Sequence, residues 1–145
     1  MFDEGNLLYF APFIFKNGAT PKNKYFLVVK KIGDHLLLSS LPTSQDHIPA
    51  NLKLRAGAYE IPEKGLSAYV FLAGKEIATD PTTSSRFAFP KNTFIYGEQL
   101  DSFPESSLRS QIDSGTTKVS IVGVMDSCIL DEIKQFFKNS LHVFP

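Results

Sequence analysis

The sequence has a single cysteine, Cys128, among 145 residues. A lone thiol excludes an internal disulfide and any zinc site built from several cysteines, and it is typical of a reducing compartment, so we expect a cytoplasmic protein. No apolar run approaches the roughly 18 residues that a membrane-spanning helix needs. The first residues, MFDE, also lack the basic segment of a secretory signal. The sequence therefore predicts neither export nor membrane insertion.

An excess of charge of either sign is absent as well. Fifteen Lys and Arg balance fifteen Asp and Glu, so no global field favours nucleic acid or a basic partner. The lysines are nevertheless unevenly placed, because sixteen residues without an acid contain Lys16, Lys22, Lys24, Lys30 and Lys31. This run predicts either a local polyanion-binding patch or a solvated rim of lysines beside apolar strands.

Motifs for several common chemistries are missing. The three histidines, His35, His47 and His142, are far apart and in no ligand spacing, and there is no phosphate loop, dinucleotide fingerprint or nucleophile elbow. We therefore expect neither a metal ion nor another cofactor, and His35 is expected at the surface. Cys128 is expected at the start of a helix, but its apolar flank favours a place in the core.

What the chain does have is a series of short apolar and aromatic runs. With 43% hydrophobic residues and a length typical of one folding unit, it is expected to form a single domain over residues 1–145. Pro12 interrupts the first run, which indicates an edge strand or a bulge. Turn residues at Gly33 and Asp34 predict a hairpin between residues 25–29 and 35–41. Further strands are predicted at residues 58–61, 68–72, 93–96 and 119–124.

Two helices are predicted near the C-terminal end. Ser102 and Glu105 have the spacing of a capping box, which predicts a short helix near residues 103–112. A second helix near residues 127–139 is predicted by one apolar face that consists of Ile129, Ile133, Phe136 and Phe137. The predicted fold is mainly β (α+β), a small barrel or strongly curved sheet with a helix covering one face.

Two polar segments flank the predicted hairpin. Residues 16–24 contain lysines, residues 42–45 contain Thr43 and Ser44, and antiparallel pairing brings the outer ends of the two strands to one edge of the sheet. Ammonium groups there can neutralise a phosphate, and hydroxyls can donate hydrogen bonds to its oxygens. The alternative is that Thr43 and Ser44 only close a turn.

The order of these features resembles the MazF/PemK toxin family, the RNA endonucleases of toxin–antitoxin pairs. The resemblance covers most of the chain through short motifs, namely GNLLYF at residues 5–10, KYFLVV at 24–29, LPTS at 41–44, TFIYGEQL at 93–100 and the last strand and helix at 119–141. It implies an SH3-like β-barrel of about five to seven short antiparallel strands that forms a homodimer, binds single-stranded RNA and is held by an antitoxin-like protein.

The family cleaves RNA with an arginine of the first loop and a threonine of a following strand. Carried over by position, Thr43 takes the hydroxyl role, and Lys22 or Lys24 stands where the arginine is expected. Lys24 and Thr43 are the expected catalytic residues, and the expected RNA-binding residues are Lys16, Lys22, Tyr25 and Ser44. Lysine departs from the family pattern, since it keeps the charge but lacks the planar fork that grips a phosphate.

Other functions remain open from the sequence. The neutral net charge and the missing arginine favour a non-catalytic SH3-like barrel that binds a protein or peptide through an aromatic surface. A third alternative is a toxin that grips a protein target and does not cut RNA.

Overall fold

The computed structural model describes residues 1–14, 17–43, 54–61 and 66–139. This part of the chain forms ten strands, two α-helices and a short 3-10 helix at Gly97–Gln99. In chain order the strands are β1 (Asn6–Phe13), β2 (Lys22–Ile32), β3 (His35–Ser40), β4 (Gly57–Ile61), β5 (Leu66–Phe71), β6 (Glu76–Thr79), β7 (Arg86–Ala88), β8 (Thr93–Tyr96), β9 (Leu100–Pro104) and β10 (Lys118–Met125). The α-helices are α1 (Glu105–Asp113) and α2 (Ser127–Asn139).

Seven strands form one antiparallel sheet in the order β7-β6-β10-β1-β2-β3-β9. The first strand lies inside this sheet, where Tyr9 stands opposite Tyr25 of β2 and Ser120 of β10. Its register with β2 shifts between Phe10 and Phe13. The apolar run that Pro12 interrupts is therefore an irregular strand inside the sheet, as one of the two alternatives predicts. The other alternative, an edge strand, is wrong.

The predicted hairpin is confirmed as β2 and β3. The strands pair from Phe26 opposite Ser40 to Ile32 opposite His35, and the turn uses Gly33 at a φ of +59°. This left-handed conformation costs glycine little and other residues more, which explains the turn at this place.

The remaining three strands form a second antiparallel sheet in the order β4-β5-β8. A backbone hydrogen bond of 2.9 Å from the Phe94 amide of β8 to the Pro42 carbonyl links it to the chain that follows β3. The two sheets thus meet where the hairpin ends.

The large sheet is buried on both faces. Along β2 the side chains alternate, so that Leu27 lies in one core and Phe26 and Val28 lie in the other. The first core lies between the large sheet, the small sheet and α2, and its buried residues are Leu7, Leu27, Val29, Leu41, Tyr69, Phe71, Ile77, Ala78, Phe89, Ile95, Met125, Ile133, Phe136 and Phe137. The second core lies on the opposite face and includes Leu108 of α1.

The C-terminal helix agrees with the sequence prediction. It begins at Ser127 after the Asp126 carbonyl, which accepts hydrogen bonds from the amides of Ile129 and Leu130. Three residues of the predicted apolar face are buried in the first core and Ile129 packs against it.

The start of α1 differs from its prediction. The helix begins at Glu105, Pro104 precedes it in an extended conformation, and no side chain caps it. Ser102 does not act as a cap because it belongs to β9, where it stands opposite Leu37 of β3. Pairing with β3 therefore outweighs the local capping signal.

The mainly β fold with two α-helices is confirmed. Within the described residues, however, the sheets are open, because β7 and β9 end the large sheet and β4 and β8 end the small one. The ten strands of the described ranges include β6, β7 and β9, which the sequence does not predict. No helix in this part of the chain is long and apolar enough to cross a membrane.

Candidate functional site

The described parts of the two polar segments, residues 17–24 and 42–43, adjoin the strand ends at the open end of the hairpin. The Leu41 amide donates to the Tyr25 carbonyl at 3.2 Å, so the chain that follows β3 leaves the sheet beside the first residues of β2. We call this surface the rim and define it as residues 22–25 and 42–43. Tyr25 and Leu41 are therefore neighbours, and the next carbonyl along the chain, that of Pro42, accepts a hydrogen bond from the Phe94 amide of the small sheet.

The rim lysines point to the face of the second core. Lys24 and Phe26 are two residues apart on β2, and Phe26 lies in that core, so their side chains share one face. Lys22 is exposed and Lys24 is half-buried. Burial lowers the pKa of Lys24, and the charge of Lys22 lowers it further. Two cations thus act on each other at this end of β2.

Tyr25 lies on the opposite face and belongs to an aromatic cluster. Its ring centroid is 4.8 Å from that of Tyr9, 5.5 Å from that of Phe89 and 6.2 Å from that of Phe87. The ring is half-buried. Burial raises the pKa of Tyr25, and the neighbouring Tyr9 adds to the rise, so the phenol stays neutral over a wide pH range. Part of an aromatic ring, held by its neighbours, is therefore exposed at the rim.

The other predicted site residues divide into two groups. Thr43 is exposed at the end of the rim. Lys16 and Ser44 lie outside the described residues. The joint action of Lys24 and Thr43 on one phosphate stays a prediction.

A second candidate site, which the sequence does not predict, lies between the small sheet and α2. It is a cleft of 340 Å³, and we call it the α2 cleft. Its lining residues come from β4, β5 and one face of α2, and they are Ala58, Glu60, Tyr69, Glu132, Gln135, Phe136 and Asn139. The volume falls within the range of roughly 300–1,000 Å³ that small-molecule sites occupy.

One hydrogen bond connects the two sides of the α2 cleft. The Tyr69 hydroxyl donates to Oε2 of Glu132 at 2.7 Å. Burial raises the pKa of Tyr69 strongly, and the hydrogen bond to Glu132 adds to the rise. The phenol therefore stays protonated and remains a donor that fixes the Glu132 carboxylate.

A second carboxylate and a smaller cavity adjoin this bond. Glu60 accepts a hydrogen bond of 2.6 Å from the Ser67 hydroxyl. Tyr69 and Glu132 also line a neighbouring cavity of 110 Å³ together with Lys75 and Ile129. The α2 cleft thus combines carboxylates with aromatic side chains, and Lys75 lines the adjacent cavity.

Two smaller predictions have different outcomes. His35 is exposed, as expected. Cys128 is also exposed, so its predicted place in the core is wrong. The cause is its position on α2, since the buried side of that helix is formed by Ile133, Phe136 and Phe137. Among the described residues no three His, Cys, Asp or Glu lie together in a way that could hold a metal ion.

Comparison with known proteins gives no relative. The chain matches no family model, no curated protein and no solved structure. The resemblance to MazF/PemK toxins therefore stays a prediction from the short motifs.

Proposed function

We propose that the protein binds single-stranded RNA at the rim and cleaves it there. The observation that carries this proposal is the hydrogen bond from the Leu41 amide to the Tyr25 carbonyl. It supports the proposal because it brings the lysines of β2 and the segment with Thr43 to one end of the hairpin. An ammonium group and a hydroxyl can stabilise the negative charge that develops on a phosphoryl group without a metal ion.

In the proposed reaction the ribose 2′-hydroxyl loses its proton to solvent and its oxygen attacks the adjacent phosphorus. The bond from phosphorus to the 5′-oxygen breaks, the 5′-oxygen takes a proton, and the products carry a 2′,3′-cyclic phosphate and a 5′-hydroxyl. Thr43 donates a hydrogen bond to a non-bridging oxygen as negative charge grows. The lowered pKa of Lys24 makes its ammonium a better proton donor to the leaving oxygen.

The rim also supplies groups for holding RNA, on both faces of the sheet. Lys22 is exposed and contributes a charge that attracts the phosphate backbone. The partly exposed ring of Tyr25 offers a surface for a base, in the way that aromatic side chains of RNA-binding proteins do. Because the lysine contacts are electrostatic, RNA binding is expected to weaken as salt increases.

The test is incubation of the purified protein with labelled single-stranded RNA, followed by analysis of the fragment ends. We expect cuts that leave a 2′,3′-cyclic phosphate, and a loss of rate of about 100-fold in Thr43→Ala and in Lys24→Ala. Lys138→Ala is the matched control, because it removes an exposed lysine that is at the end of α2 and is not part of the rim. Full activity in the Thr43→Ala, Lys24→Ala double variant would disprove the site, and no cleavage of any RNA would disprove the enzyme.

A toxin of this kind implies two further parts of the proposal. It acts in the cytoplasm as a homodimer, and an antitoxin-like protein holds it inactive. Light scattering of the purified protein tests the dimer. Co-expression with the product of an adjacent short reading frame tests the antitoxin, since a true antitoxin should abolish the RNA cleavage.

The aromatic cluster next to the rim favours one other function. Tyr9, Tyr25 and Phe87 are each half-buried and therefore leave aromatic surface exposed. A non-catalytic module that binds a protein or peptide would use such a surface. A stable partner in a pull-down that is lost in Tyr9→Ala, with no RNA binding at low salt, would support this function over RNA cleavage.

A further inference from the structure

The polar segment before β2 contains Asn17 and Gly18, and Asn17 is the one asparagine of the sequence that a glycine follows. We propose that Asn17 is a site of spontaneous deamidation, in which the backbone nitrogen of Gly18 attacks the side-chain amide of Asn17. The reaction is intramolecular and consumes only water. It is therefore independent of the rim and of RNA.

The side chain of Asn17 is turned toward the residues that follow it. Its Oδ1 accepts a hydrogen bond of 3.0 Å from the amide of Ala19. This is the hydrogen bond of an Asx turn, and it closes a ring that includes the peptide bond between Asn17 and Gly18. The side-chain carbonyl carbon is thus held on the side of the backbone where the Gly18 nitrogen lies.

The same hydrogen bond assists the attack. When the Gly18 nitrogen adds to the side-chain carbonyl carbon, negative charge develops on Oδ1, the atom to which the Ala19 N–H donates. A donor that already points at such an oxygen lowers the barrier. Because the turn also brings the two reacting groups together in advance, less entropy is lost on the way to the transition state.

The Gly18 nitrogen is accessible. Asn17 and Gly18 are both exposed, and within the described part of the chain the Gly18 amide donates no hydrogen bond. Gly18 has a φ of +77°, and among the described residues outside its chain neighbours no heavy atom lies within 4 Å of the position that a Cβ would take. Glycine also has no side chain that could shield its own nitrogen. Ring closure is therefore sterically open.

Deamidation proceeds in two steps that involve Asn17, Gly18 and water. The Gly18 nitrogen loses its proton to solvent and bonds to Cγ of Asn17, the bond from Cγ to Nδ2 breaks, and Nδ2 takes a proton and leaves as ammonia. The product is a succinimide ring. Water then opens the ring at either carbonyl, so that attack at Cγ gives aspartate and attack at the backbone carbonyl gives isoaspartate.

The modification changes the charge of a segment that has no acid of its own. Between Glu4 and Asp34 the sequence contains lysines but no Asp or Glu. A carboxylate at position 17 is therefore the first negative charge in this stretch, and it gives the formally neutral chain one net negative charge. Isoaspartate also lengthens the backbone of the segment by one carbon atom.

Asn92 is the matched control within the same molecule. Its Oδ1 also accepts a hydrogen bond from a backbone amide, that of Ala73, at 2.8 Å. The residue that follows is Thr93, which is β-branched, lies in β8 and is 1% exposed. A ring between Asn92 and the Thr93 nitrogen would disrupt the strand, so Asn92 should stay intact.

The experiment is incubation of the folded wild-type protein at mildly alkaline pH in water enriched in heavy oxygen. We expect a more acidic form to accumulate on anion exchange, at the elution position of Asn17→Asp. Peptide mass spectrometry should find heavy oxygen at residue 17, as a mixture of aspartate and isoaspartate, and an unchanged Asn92. The rate should rise with pH, because the attacking nitrogen must lose its proton.

Two variants test the geometry. Gly18→Ala places a methyl group beside the nitrogen, and Asn17→Gln must close a larger ring, so each should slow the reaction roughly tenfold or more. Both residues are exposed, and circular dichroism checks that the fold is unchanged.

Four results would overturn the proposal. They are an intact Asn17 after incubation, labelling of Asn92 as fast as that of Asn17, an unchanged rate in Gly18→Ala, and aspartate without isoaspartate, which indicates direct hydrolysis. The comparison of Asn17 with Asn92 uses the wild-type protein, so it decides even where a variant fails to fold.

Discussion

Replacing Ile133 with alanine tests whether the first core holds α2 in place. Ile133 is 0% exposed and lies in the first core beside Phe136 and Phe137. A matched control exists in the same chain, because Ile32 at the end of β2 is 56% exposed. The same substitution therefore removes the same atoms from a buried site and from an exposed one.

The expected cost follows from the atoms removed. The change deletes three carbon atoms, and at about 0.8 kcal/mol for each buried methylene the transfer contribution is about 2.4 kcal/mol. A cavity that the core does not refill adds to this, and measured costs of truncating a buried isoleucine or leucine to alanine are about 2–5 kcal/mol. Alanine also has a higher helix propensity, which offsets roughly 0.4 kcal/mol. We expect a net loss of about 2–4 kcal/mol for Ile133→Ala.

For Ile32→Ala the loss should stay below about 1 kcal/mol, since the side chain is mostly in water and only the strand preference of isoleucine is lost. Urea unfolding followed by far-ultraviolet circular dichroism measures both free energies of unfolding, and the absence of tryptophan makes this signal preferable to fluorescence. Equal losses in the two variants would refute the placement of Ile133 in a shared core. A loss below about 1 kcal/mol in Ile133→Ala would do the same.

Two further predictions concern a carboxylate and a glycine. Hydrogen bonds from Lys31 and, to a smaller extent, Arg109 lower the pKa of Glu105 from 4.5 to about 2. The carboxylate therefore stabilises the folded state fully above pH 4.5, and this contribution is lost as the pH falls toward 2. Glu105→Gln should therefore flatten the decrease in melting temperature over that pH range, and a slope identical to that of the wild type would contradict this. Gly123→Ala should cost about 1–3 kcal/mol, because the added methyl would lie 3.2 Å from Cβ of Ala78 on the paired strand. Ser120→Ala on the same strand is exposed and should cost little, and equal unfolding midpoints of the two variants would show that the close approach is absent.

The candidate sites differ in how much of them the sequence predicts. The rim follows from sequence because a hairpin with a short turn at Gly33 fixes which ends of β2 and β3 are neighbours. The α2 cleft does not, because its central hydrogen bond joins Tyr69 and Glu132, which are 63 residues apart. On the sequence, Tyr69 is one aromatic residue of a short strand and Glu132 is one acid of an amphipathic helix.

Elements with a local signal follow from the amino-acid sequence alone. The apolar face of α2, the hairpin turn and the extent of β8 are each encoded by neighbouring residues. The balanced charge and the single cysteine likewise limit the kinds of partner and covalent link, whatever the arrangement of the strands.

Elements that depend on a distant partner are set by tertiary structure. The short strands β6 and β7 extend the large sheet from β10, and β9 pairs with β3 and takes Ser102 away from the helix that it was expected to cap. Whether Cys128 faced the core depended on which side of α2 met the sheets. In each case long-range pairing or burial contributes more free energy than the local preference of a few residues, so a local pattern cannot fix the result.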